Sequence, residues 1–216
     1  MTDNLDLLKN YQTFVGPADN WNTIPRLVIK HLFNNGLSPQ TRLLDIGCGS
    51  LRTGRFLIPF LNTGNYYGLE PEKMIVKEAL KNELIPEIVD FKKPVFYFNK
   101  DFDIPDITVD IAIAIQVFIH CGPDQLRLCL KMLKDKLYGP FIFTVNLSET
   151  DRTIEKMGKF YAYRGSSHGR TSYTHDTLQD IFVTNNFSLK HIHNIFWVAH
   201  NNNTVEDCLD KPILVV

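Results

Sequence analysis

Apolar and polar positions along this chain fall into two alternating rhythms. Short apolar runs stop at turn-forming residues: Arg42–Ile46 before Gly47-Cys48-Gly49, Asn65–Leu69 before Glu70-Pro71, and Val95–Asn99 before Lys100-Asp101. Asp110–Ile115 follows, and then Phe141–Asn146 behind the breaker Gly139-Pro140. These runs predict strands. Asp110–Ile115, apolar almost throughout, predicts one buried on both faces. Between them, Thr53–Leu61, Glu72–Leu84 and Pro123–Leu137 carry apolar residues near helical spacing. Met74, Ile75, Ala79 and Leu80 form the stripe of the second, and Leu126, Leu130, Leu133 and Leu137 that of the third. Strands alternating with helices of this length pair in parallel through right-handed crossovers, which predicts a doubly wound α/β sheet with helices on both faces.

The two ends of the chain read differently. The stretch up to about Asn35 predicts two helical pieces. Thr23 stands as an N-cap, Pro25 in the first turn, and Asn34-Asn35-Gly36 as the stop. After Asn146 the periodicity weakens, and Ser148–Thr174 is rich in charged, aromatic and glycine residues. A helix over His175–Asn185 is expected next, then strands at Leu189–Ile195 and Pro212–Val216 joined by the polar Asn201–Asp210. Those strands are expected to pair as an antiparallel edge. No repeat or linker interrupts the chain, so residues 1–216 read as one domain. It comprises an N-terminal helical segment (1–36), a core (40–146) and a variable segment with the terminal strands (147–216).

Composition narrows the class. The 216 residues suit one domain, and 44% hydrophobic with 22% charged residues is ordinary for a globular protein. With 23 basic against 24 acidic side chains, the net charge of -1 gives no reason to expect nucleic acid or an anionic membrane as partner. The N-terminus lacks the basic-then-apolar pattern of a signal peptide, and no apolar run approaches the roughly 18 residues of a membrane span, so a cytoplasmic protein is expected. The 4 cysteines form no C-x-x-C pair, which points to reduced, packed thiols and to no metal site.

Ligands of a parallel sheet sit at the carboxyl ends of its strands, near the switch in strand order. There the chain carries Gly47 and Gly49 after the first predicted strand, Glu70 after the second and Asp101 after the third. Glycines permit close backbone approach, an acid about 20 residues on suits two ribose hydroxyls, and Asp101 could accept from an exocyclic amine of a base. Met74 could lie along that base or simply fill its helix. Each residue alone also has an ordinary structural reading: a turn glycine, a helix-dipole acid, a core methionine. Their order, one after each successive strand, is what points to a nucleotide. A dinucleotide fingerprint would need a third glycine where Arg52 stands, and the loop is not a nucleoside-triphosphate loop. Asp45 before the glycines suits a ligand with a positive amino group.

On these residues, Leu44-Asp-Ile-Gly-Cys-Gly-Ser-Leu-Arg52 and Tyr66-Tyr-Gly-Leu-Glu-Pro71, the chain resembles the class I S-adenosylmethionine-dependent methyltransferases over roughly residues 40–146. Asn22–Gly36 resembles the helix preceding the core in some bacterial members. The resemblance implies a seven-stranded, mostly parallel sheet whose last strand inserts antiparallel. It implies S-adenosylmethionine as cofactor and assigns residues to it. Asp45 and the Gly47-Cys48-Gly49 backbone would face the methionine portion, Glu70 and the adjoining Pro71 the ribose, and Asp101 with Phe102 the adenine. Gln116 and Val117 would form the floor near the sulfonium. Leu51 departs from the pattern, since many members carry glycine there. Attention then moves to Arg52, which could pair with the cofactor carboxylate, with a substrate acid, or with solvent as a helix-surface arginine.

For the acceptor the residues say less. His120, in Gln116-Val-Phe-Ile-His-Cys121, is the candidate general base, and a loop-supporting histidine is the alternative. His168, His175, Tyr161, Tyr163, Arg164, Arg170 and Tyr173 are candidates for a substrate-reading cover, or else an ordinary solvated loop. The Asn/Asp-Pro-Pro-aromatic motif that the resemblance links to amino methylation of bases is absent. A small-molecule acceptor at oxygen or nitrogen is therefore expected, with a protein side chain second. A non-catalytic cofactor-binding module and an NAD-dependent oxidoreductase are the competing classes.

Overall fold

Leu43–Ile46 (β1), buried at all four positions, is the axis of the structure. In the computed structural model, which describes residues 11–17, 19–104, 106–155, 168–193 and 196–203, β1 pairs in parallel on both sides. Tyr66–Leu69 (β2) lies on one side and Ile111–Ala114 (β4) on the other. Val95–Tyr97 (β3) extends the sheet beyond β2, and Pro140–Thr144 (β5) extends it beyond β4. Phe196–Asn201 (β10) then runs antiparallel to β5, and Phe187–His193 (β9) pairs antiparallel with β10 at the edge. The seven-stranded order is β3-β2-β1-β4-β5-β10-β9, so the switch in strand order falls between β1 and β4.

The period-2 alternation of the strands divides the core between the two faces. Leu44, Ile46, Ala112, Ala114, Phe141 and Phe143 point to one face. There they meet Leu126, Cys129, Leu130 and Leu133 of helix Pro123–Leu133 and Leu178, Ile181 and Phe182 of helix His175–Thr184. Leu43, Ile111, Ile113, Ile142 and Val198 point to the other. They pack on Val28 and Leu32 of helix Asn20–Asn34 (α1), Leu57 and Ile58 of Gly54–Phe60 (α2), and Val76 and Ala79 of Lys73–Glu83 (α3). With Pro86–Lys92 as α4, Pro123–Leu133 becomes α5 and His175–Thr184 α6. β4 is buried at every position, as its uniform apolarity predicts.

Three expectations change. α1 starts at Asn20, not after Thr23, and Pro25 lies inside it. Proline offers no N–H to the carbonyl of Trp21 four residues back. That carbonyl instead accepts from Arg55 Nη2 at 3.2 Å, and the Arg55 guanidinium also stands 4.7 Å above the Trp21 ring. The inserted antiparallel strand is Phe196–Asn201, following β9 closely in sequence; Pro212–Val216 lies outside the described residues. The segment of weak periodicity contains a small second sheet, Asn146–Leu147 (β6), Arg152–Glu155 (β7) and His168–Tyr173 (β8), in the order β6-β8-β7.

Among the described residues no helix is long and apolar enough to cross a membrane.

Candidate functional site

The carboxyl ends of β1, β2 and β4 carry the residues that matter. Asp45, in β1, is 4% exposed, and one of its oxygens accepts the Tyr66 hydroxyl at 2.7 Å. The chain then turns sharply. Gly47 N–H donates to the Leu69 carbonyl at 2.7 Å, and Cys48 N–H to the same oxygen at 3.2 Å. Gly47 and Gly49 both take left-handed backbone angles, φ 67° and 52°. Glu70, also 4% exposed, spans the loop: Oε2 accepts from Gly49 N–H and Oε1 from Glu72 N–H, each at 3.0 Å. Its carboxylate therefore stands directly against the glycine turn, as the sequence order suggests.

Burial dominates the charge behaviour of both acids. It pushes Asp45 up to about 7, with the Tyr66 hydroxyl and the nearby Arg52 partly offsetting it. It pushes Glu70 up to about 7 as well, against the two backbone N–H groups that favour the anion. Both groups bind protons more tightly folded than unfolded. Their contribution to stability is thus fully present below about pH 4 and is lost as pH rises through about 7. Thermal unfolding of the free protein should show Tm falling between about pH 4 and pH 7 from these groups, and Glu70→Gln should flatten that slope. An identical slope in the variant would contradict the assignment for Glu70.

Arg52 is not a helix-surface arginine. It is 5% exposed and bonds two neutral acceptors, the Val15 carbonyl through Nη1 at 2.9 Å and Gln116 Oε1 through Nη2 at 2.8 Å. Burial lowers it to about 10, which leaves it a cation at neutral pH. Gln116, reached from the end of β4, is held by its own N–H on Thr144 Oγ1 at 2.7 Å. The three site loops after β1, β3 and β4 each hold a non-glycine residue in the left-handed region: Leu51 (φ 59°), Phe102 (φ 55°) and Gln116 (φ 62°). Such angles cost about 1 kcal/mol or more each and concentrate where a loop must keep a particular shape. Leu51 settles its own departure from the glycine pattern: it adopts a glycine-like conformation and buries its side chain completely in the core beneath the loop.

A small cleft opens beside the glycine turn, lined by Ile46, Gly47, Leu69, Pro71, Asn99, Lys100 and Phe102. Asn99 and Lys100, expected only as the end of a strand and its turn, line the cleft as well. Asp101 is exposed, accepts no bond through its side chain from any described residue, and is absent from the cleft lining, whereas Phe102 forms part of it. Met74, at 47% exposure, is not the core residue its stripe suggests; Ile75, Val76 and Ala79 take that role. Val117 is buried in the core under the loop after β4, and His120 is half-buried at its far end.

On the acceptor side the candidates separate. Tyr173 is wholly buried and donates to the Cys121 carbonyl at 2.6 Å, while Thr171 N–H donates to the Ile119 carbonyl at 2.8 Å. β8 thus braces the His120 loop, and Tyr173 supports the site where the sequence reading had it reading a substrate. His175 is exposed at the start of α6, 5.7 Å from the Trp197 ring. His168 and Arg170 lie in β8. Tyr161, Tyr163 and Arg164 lie outside the described residues. Among the described residues no cluster of His, Cys, Asp or Glu could hold a metal ion.

Sequence comparison with family models and with curated proteins finds no match. Solved structures match by shape. A methyltransferase dependent on S-adenosylmethionine from Clostridium acetobutylicum superposes with TM-score 0.61 at 15% identity, over 91% of this chain and 98% of that one. Magnesium protoporphyrin IX methyltransferase from Synechocystis PCC 6803, with bound S-adenosylmethionine, gives 0.59 at 16% identity, over 82% and 78%. The 4+2 cyclase SpnF gives 0.59 at 15% identity, over 79% and 60%. The chain has the class I methyltransferase fold. Identities this low speak for the fold alone, and the cyclase shows that the fold accommodates more than one reaction.

Proposed function

We propose that this protein transfers a methyl group from S-adenosylmethionine to an oxygen or nitrogen of a small-molecule acceptor by in-line displacement. The observation that carries the reading is Glu70, a buried carboxylate at the end of β2 fixed against Gly49, with Asp45 near the end of β1 and Arg52 beyond the glycine turn that follows it. These donors and acceptors fit the cofactor's chemistry end to end. Asp45 keeps an oxygen free of the Tyr66 bond for an ammonium group, and Arg52, bonded to neutral acceptors among the described residues, suits a carboxylate. Glu70 suits two ribose hydroxyls, and Ile46, Leu69, Pro71 and Phe102 supply apolar walls for a base. Ser50 Oγ, in the same loop, is wholly buried and finds no hydrogen-bond partner among the described residues.

When bound, S-adenosylmethionine supplies a methyl group on a positively charged sulfur, already activated toward displacement. The work left to the chain is alignment, exclusion of water and handling of the acceptor's proton. Gln116, pinned to Thr144 and Arg52, holds the end of β4 in one conformation. His120, on the loop braced by β8, is the group we assign to take a proton when the acceptor carries one. Asp101 and Met74 are assigned to the adenine edge and face.

The acceptor class is tested by incubating the protein with methyl-labelled S-adenosylmethionine and a cell extract, then separating it by size. Label is expected in the low-molecular-weight fraction. Label only in the protein fraction would overturn the small-molecule acceptor, and no transferred label despite cofactor binding would favour a non-catalytic module.

A further inference from the structure

We propose that the strap Tyr11–Gly16 and the amino-acid end of the bound cofactor are alternative occupants of one place, so that the strap gates cofactor entry. The inference rests on the cofactor reading above. Tyr11–Val15 forms a short 3-10 turn laid across the glycine loop. The Val15 side chain sits against Gly49 so closely that a Cβ on that glycine would overlap Val15 Cγ1, and Phe14 stands 3.8 Å from the same point. The Val15 carbonyl occupies Arg52 Nη1. A neutral carbonyl on a buried guanidinium is a weaker partner than a carboxylate, and the loop face that would receive a methionine backbone is already covered by valine.

The small cleft beside the glycine turn is lined from the ends of β1, β2 and β3 and includes neither Arg52 nor Gly49. The place proposed for the amino-acid end, against Gly49 and Arg52, is the one Val15 holds.

The strap is held at its root and at its tip. Its root is tied to Glu83 of α3 by the Tyr11 hydroxyl and by Gln12 Nε2 at 3.0 Å, and the Tyr11 ring meets Trp21 edge-on at 6.1 Å. Its tip ends at Gly16, whose φ of 118° is a glycine conformation. A Cβ at Gly16 would come within 3.8 Å of both Arg52 Nη1 and Gln116 Oε1, so the tip rests on the arginine–glutamine pair itself.

The test compares S-adenosylhomocysteine with 5′-methylthioadenosine, which carries the nucleoside and sulfur but no amino-acid end. In the full-length protein, amides of residues 14–16 should exchange faster with S-adenosylhomocysteine bound and at an unchanged rate with 5′-methylthioadenosine bound. The double variant Tyr11→Phe/Gln12→Ala, which frees the root and leaves the glycine loop and Arg52 intact, should bind S-adenosylhomocysteine roughly tenfold tighter and 5′-methylthioadenosine equally well. Slower exchange on binding, equal gains for both ligands, or weaker binding of S-adenosylhomocysteine would overturn the gate while the cofactor reading stands. Failure of both ligands to bind wild-type protein would remove the cofactor reading and the gate with it.

Discussion

Replacing Glu70 by alanine is expected to weaken S-adenosylmethionine binding by about two to four orders of magnitude. In the proposed complex the carboxylate accepts from two ribose hydroxyls, and hydrogen bonds to a charged group contribute roughly 1.5–3 kcal/mol each. Two such bonds correspond to a hundredfold to ten-thousandfold change in Kd, by about 1.4 kcal/mol per decade. The free protein pays a separate cost. Gly49 N–H and Glu72 N–H both lose their acceptor, so the variant should also unfold at a lower temperature. Calorimetric titration below the variant's Tm separates the two effects. Unchanged affinity in a folded variant would eliminate the ribose contact.

The second large effect is on stability. Phe143, with no exposed surface, stacks on Phe141 at 5.1 Å and on Phe182 at 4.9 Å, and meets Phe118 edge-on at 6.1 Å. It therefore links β5 and α6 to Phe118, two residues before His120. Phe143→Ala is expected to cost about 3–5 kcal/mol, because the three rings packed around it cannot collapse fully into the space left. At roughly 2–4 °C per kcal/mol for a chain of this size, Tm should fall by about 6–20 °C. A loss below about 1 kcal/mol in denaturant titration would show that the cluster does not organise this side of the sheet.

Much of this architecture is legible in the sequence, and the reasons are particular. β1, β2 and β4 are short, apolar and followed by turn residues, because they are buried strands that must release the chain at the ligand end. α5 is legible from Leu126, Leu130 and Leu133, which are its buried stripe. α4 is not: Pro86 opens it and Lys93 closes it in a left-handed conformation, but it buries no residue, so it leaves no periodic apolar signal. β10 escaped for another reason. Phe196–Val198 directly follow Leu189–Ile195, the run expected as one strand, and no glycine or proline separates them, so the second strand of the hairpin goes unmarked.

At the proposed site, the candidates that sequence order offers, Asp45, Gly47, Gly49, Glu70 and Gln116, lie in or directly after β1, β2 and β4. What it cannot supply is pairing across distance. Arg52 and Gln116 stand 64 residues apart and meet only in the fold. The same holds for Tyr66 on Asp45, and for Val15 on Gly49, where the strap's role depends on a contact between an ordinary valine and a glycine. Leu51 is instructive in the opposite sense. The sequence flags it as a departure, and the backbone keeps the left-handed turn regardless, with a buried leucine side chain helping to hold it.

The central claim is that the turn from Asp45 to Arg52, with Glu70, is a site for S-adenosylmethionine. Calorimetric titration of the wild-type protein with S-adenosylmethionine and, in parallel, with NAD tests it most directly. The account predicts saturable one-site binding of S-adenosylmethionine and no binding of NAD. Binding of NAD in its place, or no heat from S-adenosylmethionine with a protein that unfolds cooperatively, would contradict it.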